Sequence, residues 1–196
     1  SGRLEDMRIE PAVRVAPEAH QVEIEVRAAG LNFRDVLTAL GMFPARSATP
    51  GAECAGTIVR VGANVQGLQA GDDVLAFAPG SLQTFVNVPA DLVARKPASM
   101  TFADAAGIPI VFLTALYGLD RLAKLSAGQS ILIHAAAGGM GLAAVQLAMG
   151  AGAKVFATAG SPEKREFLKQ LGVEHVFDSR SLAFRDQVLA ATDGRG

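Results

Sequence analysis

Two rhythms of apolar and polar positions run along this chain, and they change over near residue 100. In the first stretch Val22-x-Ile24-x-Val26 has the two-residue period of a half-buried strand, and residues 57–61, 74–77 and 85–88 repeat it less cleanly. Pro50-Gly51, Gly62, Gly71 and Pro79-Gly80 punctuate these runs, which predicts a compact antiparallel barrel or sandwich. One helix is expected over 33–40, stopped by Gly41. From Thr101 the pattern turns helical, with Thr101-x-x-Asp104 as a capping-box variant, and continues through 108–125.

Beyond residue 130 the texture is strand, tight turn, helix. The apolar run Ile131-Leu-Ile-His134 ends in Ala-Ala-Ala-Gly-Gly-Met-Gly141, and residues 142–149 follow with no β-branched run to oppose a helix. Strands at 154–158 and 175–178 alternate with helices at 162–171 and 182–191, the first of these opened by Pro162 and closed by Gly172. Such alternation implies a parallel sheet wound right-handed, so the fold class is α/β. The expected division is 1–104 for the β-rich domain and 105–196 for the dinucleotide-type domain. Only three strands of that sheet can be counted where about six are usual, which reads as the first half of a doubly wound fold in a piece of a larger polypeptide.

Residues 131–153 carry no charge, and a hydropathy window would flag them as a membrane span. Five glycines lie among them, and a buried parallel strand followed by a sheet-packed helix is equally apolar, so the membrane reading is rejected. Eighteen basic against 19 acidic residues, with no basic run, give no reason to expect nucleic acid or an anionic membrane as partner. A lone Cys54 forbids an internal disulfide and suits a reducing, cytoplasmic setting. The N-terminal residues are charged and lack the apolar core of a signal peptide; Ser1-Gly2 reads as a cloning remnant.

Candidate chemistry gathers on the glycine turn. Ala136-x-Gly138-x-x-Gly141 fits the spacing of a dinucleotide-binding loop, where small residues let backbone N–H groups and a helix N-terminus approach a pyrophosphate. Ala136, Gly138, Gly139, Met140 and Gly141 are therefore cofactor-binding candidates. An acid that binds the adenosine ribose should stand about 20 residues on, at the end of the next strand. Ala159-Gly160-Ser161 stands there instead, with Lys164 just beyond and Ser179-Arg180 after the third strand. A hydroxyl, a lysine and an arginine welcome a 2′-phosphate that a carboxylate would repel, which favours NADPH over NADH. The plainer alternative makes Lys164 and Arg180 solvated surface charges.

Taken together, the stretches at 30–43, 51–63, 112–125, 134–149 and 156–169 resemble the medium-chain dehydrogenase/reductase superfamily, in particular enoyl reductase domains of polyketide and fatty-acid synthases. The resemblance implies a small chaperonin-like β-barrel followed by a Rossmann domain, with the active site in the cleft between them. It also implies hydride transfer from NADPH to the β-carbon of an enoyl thioester carried by an acyl carrier protein. Neighbouring synthase domains, and a homodimer formed through the parent synthase, are the other partners it implies. Zinc-dependent members place a cysteine where Asn32 stands and a histidine where Ala52 stands, so the chain reads as metal-free.

By the same resemblance Asn32 positions the carboxamide or a substrate carbonyl, against the alternative of a loop-capping asparagine, and Thr114 contacts the cofactor, against a hydroxyl bonded to its own helix. Lys164 is a phosphate ligand with a secondary claim to be the proton donor. The helix after Asn32 offers Val36 and Leu37 where some members have a tyrosine, and Ala183 replaces an acid, so water is the expected proton source. His134 is read as structural and Cys54 as a buried small hydrophobe. A free-standing quinone or enone reductase is the second reading, and a non-catalytic scaffold the third.

Overall fold

The structure, a computed structural model, describes residues 5, 7–43 and 49–195. Ser1-Gly2 lies outside them. The chain forms two compact units, residues 1–110 and 111–196.

The first unit is built on one antiparallel sheet of five strands: β1 (Gln21–Gly30), β2 (Glu53–Val61), β3 (Asp73–Phe77), β4 (Phe85–Pro89) and β5 (Val93–Arg95), in the order β4-β1-β2-β3-β5. Its register shifts between Glu23 and Ile24 and between Val26 and Ala28, where bulges bend β1. Val22, Ile24, Ile58, Val74, Val86 and Val88 fill the core beneath it, each burial contributing roughly 1.5–3 kcal/mol. The other face of β1 buries an acid. Glu23 is fully enclosed, gripped by Arg14 at 2.6 and 2.7 Å and by Arg60 Nε at 2.6 Å, and Arg14 lies 3.8 Å over the Phe85 ring. The two guanidiniums hold the Glu23 carboxyl at about 2.

Helix α1 (Phe33–Ala39) follows β1 and ends at Gly41, whose φ of 68° suits a residue without Cβ. The expected helical stretch from 101 to 125 is broken into three. In α2 (Phe102–Ala106) the predicted cap is present: the Thr101 hydroxyl accepts from the Asp104 N–H at 3.1 Å, and the Asp104 carboxylate accepts from the Thr101 N–H at 3.3 Å. Gly107 closes α2. A second helix, α3 (Pro109–Leu116), restarts at Pro109, which needs no N–H there, and runs into a π-helical turn over Tyr117–Leu122.

The second unit contains β6 (Ser130–Ile133), α4 (Gly139–Gly150), β7 (Lys154–Ala159), α5 (Pro162–Gln170), β8 (His175–Asp178) and α6 (Ala183–Ala191). Its strands are parallel in the order β6-β7-β8, as the alternating pattern predicts. Ile133, Val145, Val155, Ala157, Leu168 and Val173 form the core. Two details differ from expectation. Strand β6 stops at Ile133, leaving His134 in the turn, and α4 begins at Gly139, so the last glycines of the loop are already helical. Among the described residues no helix is long and apolar enough to cross a membrane.

Candidate functional site

In the first unit the predicted catalytic candidate Asn32 is the N-cap residue of α1, its backbone N–H held by the Asp35 carboxylate. Its Nδ2 donates to Glu53 Oε1 at 2.8 Å. The second carboxylate oxygen, Oε2, accepts from the backbone N–H of Ile110, in the first turn of α3, also at 2.8 Å. Glu53 is 2% exposed, and a carboxylate that deep persists only when hydrogen-bonded. Because the carboxylate accepts, it fixes which way the Asn32 amide faces: Nδ2 toward Glu53 and Oδ1 away from it.

The surrounding backbone is built around this pair. A Cβ on Gly30 would overlap the Glu53 carboxylate and come within 2.6 Å of Ala106 O. Asp35, also buried, accepts from the N–H groups of Asn32 and Gly51 at 2.8 Å each. Gly51 has φ 91°, and a Cβ there would come within 2.6 Å of Ser81 Oγ, the hydroxyl that donates to Glu53 O at 2.9 Å. Leu31 and Phe33 flank Asn32 with their side chains three-quarters exposed. The site offers an oriented amide on a rigid polar base, bordered by open apolar surface.

This donor set does not suit tetrahedral zinc. Ala52 provides no ligand, and the thiol of Cys54 is buried, with its pKa pushed up to about 12 by burial and by the nearby Glu53 charge. Among the described residues no group of three His, Cys, Asp or Glu side chains is placed to hold a metal ion.

The second unit presents the glycine turn. Gly138 is the N-cap of α4 and no side chain caps it, so the first-turn N–H groups of Gly139, Met140 and Gly141 remain for a ligand. Ala136 N–H is tied to Thr158 O at 3.0 Å, and Gly138 N–H to Ala135 O at 2.9 Å. A Cβ on Gly141 would come within 2.6 Å of Ala136 Cα, so glycine is required for the helix to pack this closely. Ala135 adopts φ 49°, a left-handed conformation that costs an L-residue roughly 1–2 kcal/mol. His134 Nδ1 lies 3.0 Å from the buried Thr158 hydroxyl, and its ring meets Phe184 edge-on at 5.3 Å. This cradle fits the pyrophosphate of a dinucleotide.

At the end of β7 the structure brings together several of the predicted phosphate residues. Ser161 caps α5, its hydroxyl accepting from the Lys164 N–H at 3.4 Å and holding the Glu163 carboxyl below its ordinary range. Arg180 lies over Gly160, where an added Cβ would come within 3.0 Å of its Nε. Lys164 and Ser179 are exposed. Thr114 is exposed on α3 and does not bond back to its own helix as Thr38 does to Arg34 O. Asn32 belongs to the first unit and Lys164 to the second.

Three residues that the structure joins to the candidate sites escape the sequence reading: Glu53, Arg165 and Asp178. An acid opening the apolar strand Glu53-Cys-Ala-Gly56 was the available signal for the first. The other two, on α5 and β8, form an ion pair at 3.4 Å.

Two family models match the chain. One, described as an alcohol dehydrogenase GroES-like domain, covers residues 18–98, and the other, described as a zinc-binding dehydrogenase, covers residues 139–196. The whole chain is 49% identical to a phenolphthiocerol synthesis polyketide synthase type I of Mycobacterium marinum, of which it spans 9%. Among solved structures it matches the CurK enoyl reductase with a TM-score of 0.93 and 47% identity, covering 100% of this chain and 62% of that one. It also matches the Escherichia coli quinone oxidoreductase complexed with NADPH, with a TM-score of 0.81 and 32% identity over 96% of this chain and 58% of that one.

Proposed function

Starting from the chain's membership in the medium-chain dehydrogenase/reductase superfamily, we propose that it serves an NADPH-dependent enoyl reductase of a cytoplasmic modular polyketide synthase. Its substrate is an enoyl thioester held on the phosphopantetheine of an acyl carrier protein, and its further partners are the neighbouring synthase domains and a second copy of the synthase. The carrying observation is the uncapped glycine turn at α4 beside the basic end of β7, in a chain that matches such a synthase along its whole length.

A bound reduced nicotinamide supplies a hydride for the β-carbon of the enoyl thioester. The protein's residues do the rest. The N–H groups of Gly139, Met140 and Gly141 would take the pyrophosphate at the positive end of α4, with Gly138 leaving room for its approach. Ser161, Lys164, Ser179 and Arg180 would hold the 2′-phosphate, and Thr114 would contact the cofactor. Asn32, its Nδ2 held by Glu53, keeps Oδ1 to accept from the N–H groups of a nicotinamide carboxamide. The enolate then takes a proton at the α-carbon from water. Asn32 and Ala52, standing where zinc-dependent relatives place cysteine and histidine, support a reaction without zinc.

The likeness to quinone oxidoreductase supports a second reading, a free-standing quinone reductase. NADPH oxidation followed by absorbance, with crotonyl-pantetheine and a quinone offered in parallel, separates the two. Turnover of the thioester with NADPH well ahead of NADH is the expected result. Turnover of the quinone alone transfers the assignment, and binding of NADPH without turnover of either leaves a scaffold.

A further inference from the structure

The end of β7 carries no acid, yet one stands directly beside it. Asp178 closes β8 in register with Ala159, one strand away from the place where a ribose-binding acid stands in dinucleotide folds. A free carboxylate there repels a 2′-phosphate. Asp178 is not free. Arg165 reaches up from α5, its Nη1 3.4 Å from Asp178 Oδ1 and 3.2 Å from Ala159 O, with only 22% of its side chain exposed. The same Oδ1 accepts from the Arg180 N–H at 2.8 Å, which fixes the turn that lays the Arg180 guanidinium over Gly160. Glu163, another acid at this end, is held below its ordinary range chiefly by the Ser161 hydroxyl, with the Arg165 charge a smaller contributor.

We propose that Arg165 is a specificity-determining positioning residue. By pairing with Asp178 it removes a negative charge from the edge of the 2′-phosphate site and steadies the Ser179-Arg180 turn, without binding the phosphate itself. Cofactor choice is then set by the Arg165–Asp178 pair as well as by Lys164 and Arg180. This rests on the NADPH reading above.

The test is calorimetric binding of adenosine 2′,5′-bisphosphate and of 5′-AMP to the protein. The wild type is expected to bind the bisphosphate about 10-fold more tightly than 5′-AMP; equal binding of the two overturns the NADPH reading and this inference with it. Given that preference, Arg165→Met should weaken the bisphosphate about 5-fold, the effect of an unpaired acid screened by nearby water, and leave 5′-AMP within about twofold. Adding Asp178→Asn to Arg165→Met should restore bisphosphate binding to within about twofold of the wild type. Arg165→Lys, which keeps the charge, is the second variant should the methionine variant fail to fold, and it should retain most of the preference. Failure of the double variant to recover makes Arg165 a direct phosphate ligand and overturns the proposal. So does an equal loss of both ligands in Arg165→Met, which marks a merely structural role, or loss of 5′-AMP in Asp178→Asn alone, which makes Asp178 a ribose ligand.

Discussion

The polar base under Asn32 and the basic end of β7 are both clusters of charged and hydrogen-bonding groups, yet they are built in opposite ways. Under Asn32 every contact is internal: Glu53, Asp35 and Ser81 are enclosed and spend their hydrogen bonds on Asn32, Gly51, the β2 backbone and Ile110. At the β7 end Lys164 and Arg180 are exposed, while Arg165 and Asp178 form an ion pair. The first cluster is finished before any ligand arrives, so its residues are coupled to folding. The second leaves its charges in water, so its residues are coupled to ligand affinity and weakly to stability.

The largest expected effect breaks the first cluster. Glu53→Ala strands the Asn32 amide and the Ile110 N–H, and should cost about 3 kcal/mol in urea denaturation along with most of the activity. A loss below about 0.5 kcal/mol would mean that the network contributes nothing to the fold.

Next comes Glu23, a second enclosed acid of the same unit. Its carboxyl is held at about 2 against an ordinary value of 4.5, so its contribution is fully present above pH 4.5 and is lost as pH falls from there toward 2. Glu23→Gln should lower stability near neutral pH by about 2 kcal/mol, discounted because both arginines are partly exposed. The gap between variant and wild type should close on acidification; a pH-independent gap would show that packing, not charge, is lost.

The exposed cluster should answer differently. Lys164→Ala should raise the KM for NADPH about 10-fold and leave the denaturation midpoint nearly unmoved. A fall in kcat at constant KM would instead give Lys164 the proton-donor role. The smallest effect is at Ala135, where Ala135→Gly relieves the left-handed backbone and should stabilise the fold by about 0.5 kcal/mol after the added freedom of the unfolded glycine.

What the chain reveals before folding divides along similar lines. The glycine turn, the parallel strands and the antiparallel runs are legible because they depend on neighbours in sequence: period, caps and small residues. The three-residue β5 carries too few positions to show a period, and the break between α2 and α3 rests on Gly107 and Pro109 inside a run that otherwise stays helical. Glu53 was hidden for another reason. Its partners lie 21 and 57 residues away, at Asn32 and Ile110, and only the folded sheet brings them to one carboxylate. Arg165 and Asp178 were hidden similarly, since register between β7 and β8 puts the acid beside Ala159.

Transfer of hydride to carbon is the central claim, and isotope tracing tests it most directly. Crotonyl-pantetheine would be reduced with NADPH carrying deuterium at both C4 positions, and the butyryl product examined by NMR. The account predicts one deuterium at the β-carbon and a solvent proton at the α-carbon. Deuterium at the α-carbon, or a reduced product without label, would contradict it.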